Sequence, residues 1–283
     1  MPVPRSATSD AYARLTEVLP SLGVTELGPA DPLPTGPGWI HTADLAAGAA
    51  LDSFLAWDDA QILRDYEQRA RPDVTATFGL HRYAWPVCLL ITLPWFLHRR
   101  VPRLPVTHVS YNRTAPDFTM GHLAVRPTAG FACLPGDPAA ALPGARVVPD
   151  EEALRAEVRA AVAEHLEPVL DGFGPRMRRR GRALWGMATD EIVESLWYVA
   201  GLFGEQERER ATRELELLLP GSTKPYAGSA AFRVLTGPNG ESLPTRDRVS
   251  CCMFYTLRPE DTCAGCPRTC ASDRVTKLLA TAS

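Results

Sequence analysis

Five of the seven cysteines fall in the twenty-residue run CCMFYTLRPEDTCAGCPRTC, from Cys251 to Cys270. The chain starts MPVPRSATSDAYARL, with no apolar stretch behind a basic segment, so export is not expected and a reducing cytoplasm is. Thiolates this dense in that setting point to a metal or an iron–sulfur cluster, not to disulfides. The first four, Cys251, Cys252, Cys263 and Cys266, read as an adjacent pair, ten residues, a third cysteine, two residues and a fourth. Zinc is usually held by two hooks of the Cys-x2-Cys or Cys-x4-Cys kind. The adjacent pair is no such hook. On an extended strand neighbouring side chains point to opposite faces, so both reach one centre only from a bent backbone or onto different atoms of a larger cluster. Spacing therefore favours a cluster, leaves a structural zinc open, and does not choose between 2Fe-2S and 4Fe-4S, since four thiolates suffice for either.

The pattern Cys-Cys-x10-Cys-x2-Cys, preceded by Arg248, Val249 and Ser250 and carrying Tyr255 and Leu257 in its spacer, resembles the signature of the ferric siderophore reductase family. That resemblance implies a C-terminal 2Fe-2S cluster ligated by Cys251, Cys252, Cys263 and Cys266, and one-electron reduction of a ferric siderophore, of hydroxamate type, releasing Fe(II). It covers about the last forty residues; the body resembles the family more loosely, in length, in the helix start Arg182-Ala183-Leu184-Trp185 and in the placement of long helices. Cys270 stands outside the four-cysteine pattern, one helical turn after Cys266, as a spare thiol, an alternative ligand or a tuning neighbour. Cys88 and Cys133 sit in apolar contexts and are expected in the core. Two other readings stay open: a siderophore- or partner-binding protein with a structural zinc, and a cluster-based redox sensor.

No Gly-x-Gly-x-x-Gly follows a strand; Gly172-x-Gly174 precedes RMRRRGR instead of opening an apolar helix, and GSTK at Gly221 to Lys224 lacks the upstream glycine of a phosphate loop. The electron must come from an external donor such as a ferredoxin or a flavin reductase. Two basic runs are candidates for a chelate rim or an acidic redox partner: His98, Arg99, Arg100 and Arg103, then Arg176, Arg178 to Arg180 and Arg182. The blander reading of each is a solvated face. Trp39, Trp185, Trp197 and Tyr198 are candidates for an apolar pocket, Trp197 by its spacing fitting the core better. His41, His81, His108, His122 and His165 show no paired metal spacing and read as surface or hydrogen-bonded core histidines. No catalytic acid or base is required beyond the cluster.

The elements that must position the cysteines are mainly helical. Helices are expected over Ser9–Leu19, Asp58–Ala70, Val74 to a break or kink at Pro86, Asp150–Leu170, Arg180–Phe203, Glu205–Leu218 and a small one from Pro267 to Ala280. Pro105–Arg113 and Phe118–Val125 read as a β-hairpin, with further strands at Gly130–Leu134 and Ala231–Leu235. The fold class is thus α+β, predominantly helical, with a hairpin or small antiparallel sheet and a small C-terminal iron–sulfur module. The expected division is a siderophore-binding body, 1–240, with an internal boundary near 135–148, and a cluster module, 241–283. A 45% apolar content suffices for a core, and a formal charge of −3 excludes a general nucleic-acid role. The apolar stretch Ala84–Leu97, with Pro86 and Pro94, is too short to span a bilayer and reads as core. A monomer is expected.

Overall fold

The computed structural model describes residues 6–282 except 47, 222 and 261. Its organising element is α3 (Pro72–His98), buried on nearly every side from Val74 to Phe96. Around it pack α1 (Ser9–Val18), α2 (Ala49–Tyr66), α4 (Glu151–Met177) and α5 (Arg182–Leu202), while α6 (Glu205–Leu218) lies on α5. A helix that is apolar all round belongs at the centre of such an assembly. Among the described residues no helix is long and apolar enough to cross a membrane.

The expected break at Pro86 does not occur, and α3 also continues through Pro94. A proline inside a helix removes one N–H and orphans the carbonyl four residues earlier. Two tyrosines from distant segments answer those orphans. Tyr12 Oη donates to Leu90 O at 2.9 Å, and Tyr111 Oη lies 3.5 Å from Arg82 O, a far weaker contact. The second helix also differs from expectation. Leu51, Phe54, Asp58 and Ile62 share its buried face, so it starts well before Asp58 and ends where Glu67 turns left-handed, φ 56°.

A four-stranded sheet flanks the helices in the order β1-β5-β4-β2, from β1 (Leu22–Glu26), β2 (Trp39–His41), β4 (Val109–Asn112) and β5 (Gly121–Val125). The expected hairpin is its centre, with Val109 opposite Val125 and Asn112 opposite His122. Strand β1 adds in parallel and β2 antiparallel, both in the stretch after Leu19 for which no strand is expected. A second sheet joins β3 (Arg100–Pro102), β6 (Phe131–Cys133) and β7 (Ala145–Val147). α4 opens on Asp150, whose carboxylate accepts from Ala153 N–H at 2.8 Å. After α6 the antiparallel pair β8 (Ala231–Thr236) and β9 (Ser242–Asp247) leads into the cysteine run, and α7 (Ala271–Ala282) follows it. The fold is α+β and predominantly helical.

Candidate metal centre

The cysteine run is tied to the body just before its first thiols. Asp190 on α5, 1% exposed, accepts from Val249 N–H at 2.9 Å, Ser250 N–H at 2.7 Å and Ser250 Oγ–H at 2.6 Å. Arg246 Nη1 reaches the same carboxylate at 3.2 Å, and its Nε donates to Glu194 at 3.0 Å. Val249 fits against Gly228, whose φ of +76° and contact distance of 2.4 Å to a hypothetical Cβ leave no room for a side chain. On the other side Arg179 Nη2 donates to Cys251 O at 3.0 Å. Met253, at φ 67°, then bends the chain immediately after the cysteine pair. Such a bend lets neighbouring thiols serve one centre.

The second half of the run is held more lightly. Cys266 N–H donates to Cys263 O at 3.0 Å, closing a turn, and Arg274 of α7 donates to Cys266 O at 3.3 Å. Phe254 packs between Tyr66 and Phe78, at 5.7 and 6.3 Å between ring centroids, and Gln68 Nε2 donates to Leu257 O at 2.6 Å.

These supports bring the four thiols into one neighbourhood, each within electrostatic reach of others in the set. Cys252 and Cys263 share a side-chain hydrogen bond, and Cys251 interacts electrostatically with Cys252 and Cys266. The hydrogen bond from Cys263 pulls the Cys252 thiol down, with help from the Arg248 guanidinium and against burial. Burial pushes Cys251 up. A cavity of about 190 Å³ opens on Cys252 and Cys263, walled by Thr77, Phe78, His81 and Arg248. Among the described residues no three His, Cys, Asp or Glu side chains gather as a site for a single metal ion.

Arg248 lies 3.7–3.9 Å from Glu194, Glu191 and Asp190, and its buried Nε has no hydrogen-bond partner. The Arg248 guanidinium, held by these carboxylates without a close hydrogen bond at Nε, lines the same cavity as Cys252 and supplies positive charge suited to an anionic sulfur-rich group. Arg268 N–H already points at Cys266 Sγ, 3.4 Å away. Four neighbouring thiols, the nearby Arg248 guanidinium, the Arg268 backbone N–H and an apolar wall fit a two-iron cluster, which takes four thiolates.

His81 Nδ1 pairs with Glu191, itself 1% exposed. Burial opposes a charged ring there, and the Glu191 carboxylate overcomes it and raises the histidine above its usual value. Asp190, Glu191, Glu194, His81 and Arg179 were not singled out by the chemistry of the cysteine motif. One signal was available: ATDEIVES sets three carboxylates inside an otherwise apolar helix, and buried carboxylates need partners.

The first basic run serves the body. Arg99 pairs with Glu151 and Glu214, Arg100 with Asp137 and Arg103 with Glu164. His98 joins none of the thiols, and burial lowers its pKa. In the second run Arg176 pairs with Asp52, and Arg179 alone hydrogen-bonds the cysteine segment. Trp185 packs on Tyr226, Trp197 on Phe232, and Tyr198 on Trp85. His108 bonds Arg126 O, His122 bonds Thr25, and His165 is buried between Tyr83 and Leu104 O. Cys88 and Cys133 are buried, and Cys270 is exposed with its sulfur 3.0 Å from Ser272 Oγ.

A search against curated proteins found no match to the chain. Residues 248–268 match the family model described as the FhuF 2Fe-2S C-terminal domain, a stretch that contains all four thiols and both Arg248 and Arg268. Over that short C-terminal stretch the chain is similar to the FhuF 2Fe-2S domain, whose name carries a two-iron cluster.

Proposed function

We propose that the protein is a ferric siderophore reductase of the cytoplasm, whose 2Fe-2S cluster is held by Cys251, Cys252, Cys263 and Cys266. The observation that carries the reading is the matched 2Fe-2S segment with its four thiols set against a cavity of the body. Residues 1–240 form the siderophore-binding body and 241–283 the cluster module, whose first strand β9 pairs along its length with β8 of the body.

When bound, the cluster supplies single-electron chemistry. The net reaction moves one electron from a reduced external donor, a ferredoxin or a flavin reductase, to chelated Fe(III). Fe(II) is larger and softer than Fe(III), and hydroxamate oxygens bind it far less well, so the reduced ion leaves and the freed oxygens take protons from water. The protein's own residues position and insulate. Asp190 fixes the backbone at Val249 and Ser250, Arg248 and Arg179 supply positive charge beside the thiolates, and Phe78 and Phe254 keep water from the Cys252 side. No side chain has to move a proton for the electron to pass.

The test is the anaerobically purified or reconstituted protein. A brown sample with two irons and two sulfides per chain, a reduced-state EPR signal, and Fe(II) formation from a ferric hydroxamate is expected. A colourless protein with stoichiometric zinc would contradict the assignment, and a cluster that is reduced yet never reduces a ferric chelate would make it a redox sensor.

A further inference from the structure

We propose that the cavity on the far side of His81 from the cysteines seats the ferric chelate, and that it takes oxygen-ligated Fe(III) complexes of zero or negative charge. This rests on the reductase reading above. The cavity measures about 310 Å³ and is bounded by α2, α3 and the β4–β5 hairpin. His81 walls both this cavity and the one that opens on Cys252 and Cys263. Among the described residues His81 is the one lining residue that the two have in common. Beyond Trp57 and Arg113, which it also shares, lies a second hollow of about 420 Å³. Each falls within the roughly 300–1,000 Å³ usual for small-ligand sites.

The walls state what would fit. Asp58, wholly buried, accepts from Arg82 Nη1 and from Arg113 Nη1, each at 2.7 Å. One carboxylate faces two guanidiniums, which leaves one positive charge in excess on the wall of the first cavity; the exposed Asp44 lines the second hollow, away from that pair. Asp65 lies 4.0 Å from Arg82 at the solvent edge, its side chain 44% exposed, and offsets that charge only in part. His81 is answered by Glu191. Arg113 is clamped between Phe54 and Trp57, 4.1 Å from each ring centroid, so its charge stays at the cavity wall. A cationic complex meets repulsion there; a neutral or anionic one does not.

Of the buried polar atoms without a partner among the described residues, two line these hollows. Gln61 Oε1 in the first cavity and His41 Nε2 in the second make no hydrogen bond. Unpartnered buried polar atoms are scarce in folded proteins, and two lining joined hollows point to a polar ligand. Trp57 and Trp85 supply apolar surface for the carbon skeleton of a chelator, with the half-exposed Tyr198 stacked edge-on against Trp85. The step in the cavity is transfer of one electron to chelated Fe(III), supplied by the external donor. No covalent bond forms.

Redox-inert gallium(III) isolates binding from electron transfer. Calorimetric titration of the full cluster-loaded chain would use gallium desferrioxamine B, a cation through its free ammonium, and its N-acetyl derivative, which is neutral with the same metal shell. The neutral complex should bind at least about tenfold more tightly, a difference of about 1.4 kcal/mol. Thr119→Trp and Met120→Trp fill the mouth from exposed positions and should weaken the neutral complex by about tenfold or more, with the visible spectrum unchanged. Equal affinity for the two complexes, wild-type affinity in both variants, or no binding to the wild type would overturn the site. Binding that the variants abolish, with no reduction of the corresponding iron complex, would uphold the site and refute the reductase reading.

Discussion

The two limbs of the cysteine run are held by different means. The limb bearing Cys251 and Cys252 is an extension of the body: Asp190 takes three hydrogen bonds from Val249 and Ser250, and Arg179 reaches over to Cys251 O. The limb bearing Cys263 and Cys266 leans on its own turn and on Arg274 of α7. A fully desolvated carboxylate with several donors fixes geometry far more firmly than a solvent-edge turn. The cofactor would thus be mounted on the body through one limb and closed over by the other, so that assembly and release are governed by the second.

Breaking the comparison at its strongest point means removing a thiol. Cys252→Ser should abolish the visible absorption of the cluster, whereas Cys270→Ser should leave it intact; equal loss in both would show that the exposed Cys270 shares in ligation. Next in size is the mount itself. Asp190→Ala leaves two buried backbone N–H groups and Arg246 Nη1 without their acceptor, Glu194 still pairing the rest of that guanidinium, and should cost about 3 kcal/mol in denaturant unfolding, with lower iron content. A cost under 1 kcal/mol would mean the first limb is not held by that carboxylate.

The body adds a dependence that the limbs do not. Burial holds the His165 imidazole down at about 4, against an ordinary 6.5, so the unfolded chain binds more protons between those values. Stability from this residue is complete above about pH 6.5 and falls as the pH drops towards 4, by about 2 kcal/mol at pH 5. Denaturant titrations at pH 7 and pH 5 measure it, and His165→Gln should flatten the difference. The smallest effect belongs to the second limb. Arg274→Gln removes a hydrogen bond to Cys266 O and a contact to Asp247, and should cost about 1 kcal/mol while speeding cluster loss to an iron chelator. Unchanged loss kinetics would remove the distinction between the limbs.

Legibility in the sequence followed the range of the forces involved. The four thiols stand within sixteen residues and declare themselves by type and spacing, and Glu205–Leu218 reads as a helix at its observed bounds. The β4–β5 hairpin is equally local. What escaped was set at long range. At Pro94 the continuity of α3 is supported by Tyr12, whose hydroxyl comes from α1 to take up the Leu90 carbonyl. Strands β1 and β2 are specified by the hairpin edges they join, not by their own alternation. At the site, His81 reads as an ordinary core or surface histidine because Glu191, the residue that fixes it, lies 110 positions away. The Asp190 grip on residues 249 and 250 is hidden for the same reason.

The central claim, a body-mounted two-iron centre that delivers single electrons to ferric chelates, is tested most directly by a single-turnover experiment without oxygen. The protein is reduced with dithionite, freed of excess reductant, and mixed with a neutral ferric hydroxamate while cluster absorption and trapped Fe(II) are followed together. The account predicts one Fe(II) released per cluster reoxidised, on the same time course. A reduced cluster whose spectrum persists in the presence of the chelate, with no Fe(II) trapped, would contradict it.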